Sequence, residues 1–161
     1  MNNAIPEGVV VIPTETTARV SYIKRSLLTT NVGEESATKP HVLVLAPTFK
    51  ESEDVYYYGI QTPINDAGYL CERVNLIDVA RSDFLEHVKN RIDTSAFVLA
   101  DLTIPNPNIY LLLGYAWGKN RSIIIALQKS SHLQFETKEH QYIVYERIRD
   151  LEQELRSRLI C

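Results

Sequence analysis

Apolar and polar positions along the chain alternate in blocks. HVLVLAPTF (41–49) is a run of β-branched and aliphatic residues closing on Ala-Pro-Thr, the pattern of a buried strand that ends near Ala46 and opens into a loop. From Ser52 the rhythm changes: Val55, Ile60 and Ile64 recur at roughly helical spacing, Gly68 is placed to end the helix, and Pro63 predicts a kink or a new first turn. LCERVNLID (70–78) predicts a second strand. SDFLEHVKNRIDTS (82–95) predicts a helix capped by Ser82, with Phe84, Leu85, Val88 and Ile92 on its apolar face.

AFVLAD (96–101) is a short apolar strand that stops at an acid, after which PNPN opens a helix. Pro107 suits the first helical position, and Asn106, held out of helical angles by the proline after it, is a natural N-cap. SIIIAL (122–127) is another buried strand and YIVY (142–145) a last short one. Tyr145, Ile148, Leu151, Leu155 and Leu159 step along an amphipathic helix at the end. Strands apolar enough to be covered on both faces, alternating with helices, predict an α/β three-layer sandwich with a mainly parallel sheet, flavodoxin- or Rossmann-like. The single domain spans 41–161. Residues 1–40 are an N-terminal appendage, with GVVVIP as an edge strand, TETTARVSYIKRSLLTT as a helix and NVGEESATKP as a polar linker.

Composition narrows the partners. With 161 residues, 45% hydrophobic, the chain can bury one good core. Lys and Arg number 17 against 20 Asp and Glu, a net charge of -3, so no basic excess draws it to long nucleic acid. Cys71 and Cys161 have no metal-ligand spacing and imply no disulfide framework, which fits a reducing, cytoplasmic setting. The N-terminal stretch lacks a signal-peptide pattern and no apolar stretch is long enough to span a bilayer. His41, His87, His132 and His140 show no metal spacing, and neither a nucleophile elbow nor a Gly-rich phosphate loop is present. Neither metal nor cofactor is expected.

In an open parallel sheet, ligands bind beyond the carboxyl ends of the strands, near the point where strand order reverses. Two such ends carry polar residues here: APTFKE, and DLTIPNPN, where Asp101, Thr103, Asn106 and Asn108 surround a helix N-terminus whose amide donors favour an anion. Each has a structural reading beside the functional one. Asp101 can bond loop amides, Asn106 can serve as a cap alone, Tyr56, Tyr57 and Tyr58 can form a helix surface, and Trp117 can belong to the core or an interface.

With this order of elements, residues 41–160 resemble the nucleoside 2-deoxyribosyltransferase-like superfamily, close in fold to TIR domains. The resemblance rests on VLVLAPTFKESEDVYYYGIQTPINDAGYLCERVNLID, on ADLTIPNPNIYLLLGYAWGKNRSIIIAL and on YIVYERIRDLEQEL. The middle stretch is the most specific: a strand, Ala-Asp-Leu-Thr, an Asn-Pro-Asn turn, then a helix with Glu-Leu-Gly and often Ala-His. In the family that glutamate attacks the sugar's anomeric carbon or stabilises the cation forming there, so the base is released or exchanged. Leu113 and Gly114 match Leu-Gly, so the glutamate's position falls on Leu112 and the histidine's on Trp117. The first loop, commonly Met-Pro-Phe, reads Ala46, Pro47, Thr48, Phe49 here.

The resemblance implies a crevice for a nucleoside, a nucleotide or a nucleotide-derived signal, lined by Pro47, Thr48, Phe49, Asp101, Thr103, Asn106, Asn108 and Leu112. Leucine can neither attack nor stabilise positive charge, and losing such a nucleophile costs on the order of 10³ to 10⁶ in rate. The reading this favours is a catalytically impaired binding module, a signalling or antiviral-defence subunit that contacts a partner protein or its own copies. Two alternatives stand beside it. One is an active N-glycosidase or deoxyribosyltransferase whose carboxylate comes from Asp101, Asp54, Glu51 or a neighbouring subunit; the other is a TIR-like assembly domain.

Overall fold

The computed structural model describes residues 39–76, 82–133, 135 and 141–160. The expectations for residues 1–38, for the end of the second strand at Ile77 and Asp78, and for His140 lie outside the described residues.

Five strands form one sheet: β1 (His41–Leu45), β2 (Leu70–Arg73), β3 (Phe97–Asp101), β4 (Ile123–Gln128) and β5 (Gln141–Tyr145). Their order is β2-β1-β3-β4-β5 and every neighbouring pair is parallel. This is the flavodoxin-like order, whose switch point lies between β1 and β3. The α/β expectation holds, with the described sheet wholly parallel. β2 is shorter than its apolar run: Val74 and Leu76 are buried, but past Arg73 the chain leaves strand geometry.

The pleat sorts the core into two layers. Leu43, Leu45, Val98, Ala100, Ile123, Ile125 and Leu127 share one cluster with Phe84, Val88 and Ile92 of α2 (Phe84–Thr94) and with Ile109, Leu112, Leu113 and Ala116 of α3 (Pro107–Gly118). The intervening positions Val42, Val44, Leu99, Asp101, Ile124 and Ala126 point to the other face. There α1 (Val55–Gln61 continued by Thr62–Asp66) packs against α4 (Ile148–Leu159). The covered sheet is what lets its strands be apolar on both sides.

Helix α1 is the least regular. Its first part, Val55–Gln61, is π-helical, and Thr62–Asp66 continues it as α-helix. Pro63 has no N–H to give, and its ring would press on the carbonyl four residues back in an α-turn, so a widened turn before it relieves the clash. The Thr62 N–H accordingly donates five residues back to the Tyr57 carbonyl. Gly59 lies where α1 crosses α4: a Cβ there would stand 2.9 Å from Leu151 Cδ2.

Three expectations about helices are corrected. The residue before α2 is Asp83, not Ser82, and it makes no side-chain cap bond. Leu85, expected on the apolar face, is 39% exposed, because the buried row runs Phe84, Val88, Ile92 and the next residue on is turned away from it by about 100°. Tyr145 belongs to β5 rather than to the last helix, which starts at Ile148 behind a capping box between Arg147 and Asp150. Arg158 of α4 reaches the sheet, its Nη2 donating to the Tyr142 carbonyl at 2.8 Å. No helix among the described residues is long and apolar enough to cross a membrane.

Candidate functional site

The carboxyl edge of the sheet gathers the polar residues. Leu45 pairs with Ala100, so the loops after β1 and β3 leave side by side at the switch point. In the first loop Pro47 is buried, Thr48 is partly exposed and the Phe49 ring is 52% exposed. Ser52 braces this loop: its hydroxyl donates to the Pro47 and Phe49 carbonyls at 3.0 and 2.8 Å.

Asp101 closes β3 and is 3% exposed, the one buried acid among the described residues. The Thr103 N–H donates to its Oδ1 at 3.0 Å, the two-residue turn that a strand-end aspartate makes when it bonds its own loop. Burial pushes the carboxyl above the usual carboxylate range, while the Thr103 hydroxyl and amide pull it back down. The Thr103 Oγ1 accepts the Gln128 N–H at 3.1 Å and lies 3.2 Å from the Tyr145 hydroxyl. Tyr145 is 4% exposed, and its pKa is pushed up to about 12, first by burial and then by the negative charge of Asp101.

Register explains the meeting. Asp101 pairs with Ala126 and Tyr145 with Gln128, so both side chains leave the same side of the pleat, toward α1 and α4. Tyr145 was not among the site residues read from the sequence, where it served as one more position in an amphipathic pattern. The signal that could have found it is a phenol at the end of the last buried strand, a place where ligand-facing groups gather in this fold.

Helix α3 begins as the sequence predicts. Asn106 is the N-cap, its side chain accepting the N–H groups of Asn108 at 2.9 Å and Ile109 at 3.4 Å, with Pro107 at the first helical position. The Tyr110 N–H goes to the Asn106 carbonyl at 3.2 Å. Because proline has no N–H, the first turn has no free amide left, so the expected donors for an anion are already taken. Asn108 is partly exposed. Leu112, one turn later, is 2% exposed and packs in the cluster with Leu43, Leu45 and Leu102, on the face of the sheet opposite Asp101. Trp117, nine residues past Asn108 and so about 13 Å along the helix, is 39% exposed.

The cations of this edge are partnered as well. Arg73, at the end of β2, holds Glu53 with both terminal nitrogens at 2.9 and 3.2 Å and lies over the Tyr56 ring, 4.0 Å from its centroid. Lys129 pairs with Glu146, and Arg147 with Asp150 at 2.9 Å. Lys50 is exposed in the first loop, with Glu51 and Asp54, the other candidate carboxylates, also exposed. Among the described residues no group of His, Cys, Asp or Glu could hold a metal ion. His41 bonds the Arg91 carbonyl at 3.0 Å, and His87 and His132 lie on the surface.

No family model matches the chain, and no curated protein matches it by sequence. Solved structures do share its fold. A CMP N-glycosidase of Clostridium botulinum, BcmB, superposes with a TM-score of 0.56 at 18% identity, covering 71% of this chain and 97% of that one. A response regulator receiver domain protein from Bacillus halodurans follows with a TM-score of 0.48 at 14% identity, covering 73% and 94%. At these identities the likeness is one of fold.

Proposed function

We propose that this domain binds a nucleoside or nucleotide at the carboxyl edge of its sheet without cleaving it, as a binding module that passes occupancy to a partner protein or to another copy of itself. The observation that carries the reading is the polar group Asp101, Thr103 and Tyr145, held at the strand ends where α/β sheets take ligands, with hydrocarbon at Leu112 where the resembled family has its glutamate. The fold shared with a CMP N-glycosidase supports it and makes CMP and cytidine the first ligands to try. A role as a signalling or antiviral-defence subunit rests on the sequence resemblance alone.

The test is thermal melting of the full chain with CMP, cytidine and a panel of other nucleosides and nucleotides, alongside chromatography and mass spectrometry for released base. A ligand that binds only the folded form raises the melting temperature, by about 2.7 kcal/mol of stability at a hundredfold excess over Kd. Stabilisation without base release is expected. No stabilisation by any of them refutes the reading. The buried Asp101 favours a second reading, an N-glycosidase with a relocated acid. Base release by the wild type that Asp101→Asn abolishes establishes that instead.

A further inference from the structure

We infer that Arg73 is a positioning residue for the ligand site: through Glu53 it sets the loop after β1, which carries Pro47, Thr48 and Phe49, against the carboxyl edge of the sheet. The inference rests on the reading that this edge binds a nucleoside or nucleotide.

Arg73 is anchored first by its strand. It pairs with Val44 in the sheet, and the next residue, Val74, donates its N–H to the Val44 carbonyl at 3.0 Å. Its side chain therefore starts beside the last residues of β1, where the loop leaves. That side chain is 8% exposed and meets Glu53, 29% exposed, through two bonds of 2.9 and 3.2 Å, with the centre of the Tyr56 ring 4.0 Å away. Two parallel bonds and a flat ring face leave a guanidinium one orientation, which an ammonium group would not have. Such a pair adds little net stability, because the loss of hydration offsets the attraction. What it supplies is a fixed position for Glu53.

From Glu53 that position passes to the loop through the backbone. Glu53 and Asp54 have helical angles between the 3₁₀ turn Lys50–Ser52 and α1, so the chain is helical from Lys50 to Asp66. Ser52, one residue before Glu53, bonds back to the loop. Its hydroxyl reaches the Pro47 and Phe49 carbonyls at 3.0 and 2.8 Å, and its N–H donates to the Phe49 carbonyl at 3.0 Å. Holding Glu53 thus holds both carbonyls. Apolar packing does less here, since the Phe49 ring is 52% exposed and Lys50 and Glu51 are exposed beside it. Leu45 pairs with Ala100, so this loop faces the one after β3, and Arg73 sets one wall of a crevice whose other wall carries Asp101 and Thr103.

The test uses the full chain as wild type, Arg73→Lys and Arg73→Met/Glu53→Leu, in which an apolar pair of similar size replaces the ionic one. Urea denaturation is expected to give the apolar pair a stability equal to or above wild type, so that orientation is lost and the fold is not. Titration calorimetry with CMP and cytidine is expected to show about a tenfold higher Kd for the apolar pair, the cost of ordering loop side chains on binding. Arg73→Lys, which keeps the charge and loses the fork, is expected to fall between. Trypsin reads the loop without ligand: Lys50 is exposed in it, and native-state cleavage there is expected to be about tenfold faster in the apolar pair, from a larger open population. A merely structural residue would lower the urea midpoint and leave cleavage tied to global unfolding. Wild-type affinity or wild-type cleavage in the apolar pair overturns the assignment. Should that variant fail to fold, the same two readouts on Arg73→Lys decide, and no change in either overturns it. If neither probe binds wild type, the nucleotide-binding reading falls, and the cleavage rate alone then upholds or overturns the hold of Arg73 on the loop.

Discussion

Restoring the missing carboxylate by Leu112→Glu looks like the natural route to activity, and the structure predicts that it chiefly damages the fold. Leu112 is 2% exposed among Leu43, Leu45, Ala100 and Leu102. A carboxyl placed there stays neutral, as buried glutamates can with pKa near 8–9. Holding it protonated at pH 7 against an unfolded value of about 4.3 costs roughly 3.7 kcal/mol, at about 1.36 kcal/mol per unit. The neutral acid without a partner adds about 1–3 kcal/mol. The sum, roughly 5–7 kcal/mol, approaches the whole stability of a marginal domain, about 5–15 kcal/mol.

The sign with pH is fixed by the same numbers. The folded pKa lies above the unfolded one, so the variant is at its best below about pH 4.3 and loses stability as pH rises, until it levels off near 8–9. Urea denaturation at pH 5, 7 and 9 checks this, with Leu112→Gln as the uncharged control of similar size. The control is expected to be weakened equally at each pH. Leu112→Glu is expected to lie within about 1 kcal/mol of it at pH 5 and to fall below it by roughly 3–4 kcal/mol at pH 7. If the two variants unfold alike at every pH, the carboxylate reaches water or a cation, and Leu112 is a wall of an open site rather than core.

Other substitutions test the remaining steps. Asp101→Asn removes a group whose folded pKa is raised by burial, so wild type should lose stability relative to the variant as pH climbs from 3.8 through the folded value; parallel pH profiles in denaturant refute the burial argument. Asn106→Ala strips the cap from α3 and should cost about 0.5–2 kcal/mol in urea unfolding, with Asn106→Ser largely restoring it. Gly59→Ala drives a methyl to 2.9 Å from Leu151 Cδ2; about 1–3 kcal/mol of overpacking, offset by roughly 0.5–1 kcal/mol of helix propensity, should leave the variant weaker, and Leu151→Val in the same chain should recover part of the loss.

The alternation of buried strands and amphipathic helices was legible because strand runs such as FVLAD and IIIALQ are apolar on both faces, which only a covered parallel sheet requires. The start of α3 was legible too, since Asn-Pro is a local signal whose geometry does not depend on the rest of the fold. β2 was overextended because burial alone does not distinguish a strand from a buried loop: Val74 and Leu76 are as hidden as Cys71. The link between Asp101 and Tyr145 could not be read, because it depends on two strand registers and on which side of the pleat each residue faces. The motif marks Leu112 by its place along the chain, yet the motif alone does not say that its side chain lies on the far side of the sheet from Asp101.

The bond from Arg158 to the Tyr142 carbonyl bears on the solubility of the molecule. β5 is an outer strand of five uncharged residues, QYIVY, with Val144 59% exposed, the kind of edge on which a strand from another molecule can template itself. The guanidinium, itself tied to Glu154, occupies an acceptor that such a newcomer would need and sets a hydrated charge beside it. The sheet thus carries its own stop, supplied by the last helix, and a chain shortened before Arg158 would be expected to lose that stop and to aggregate along β5.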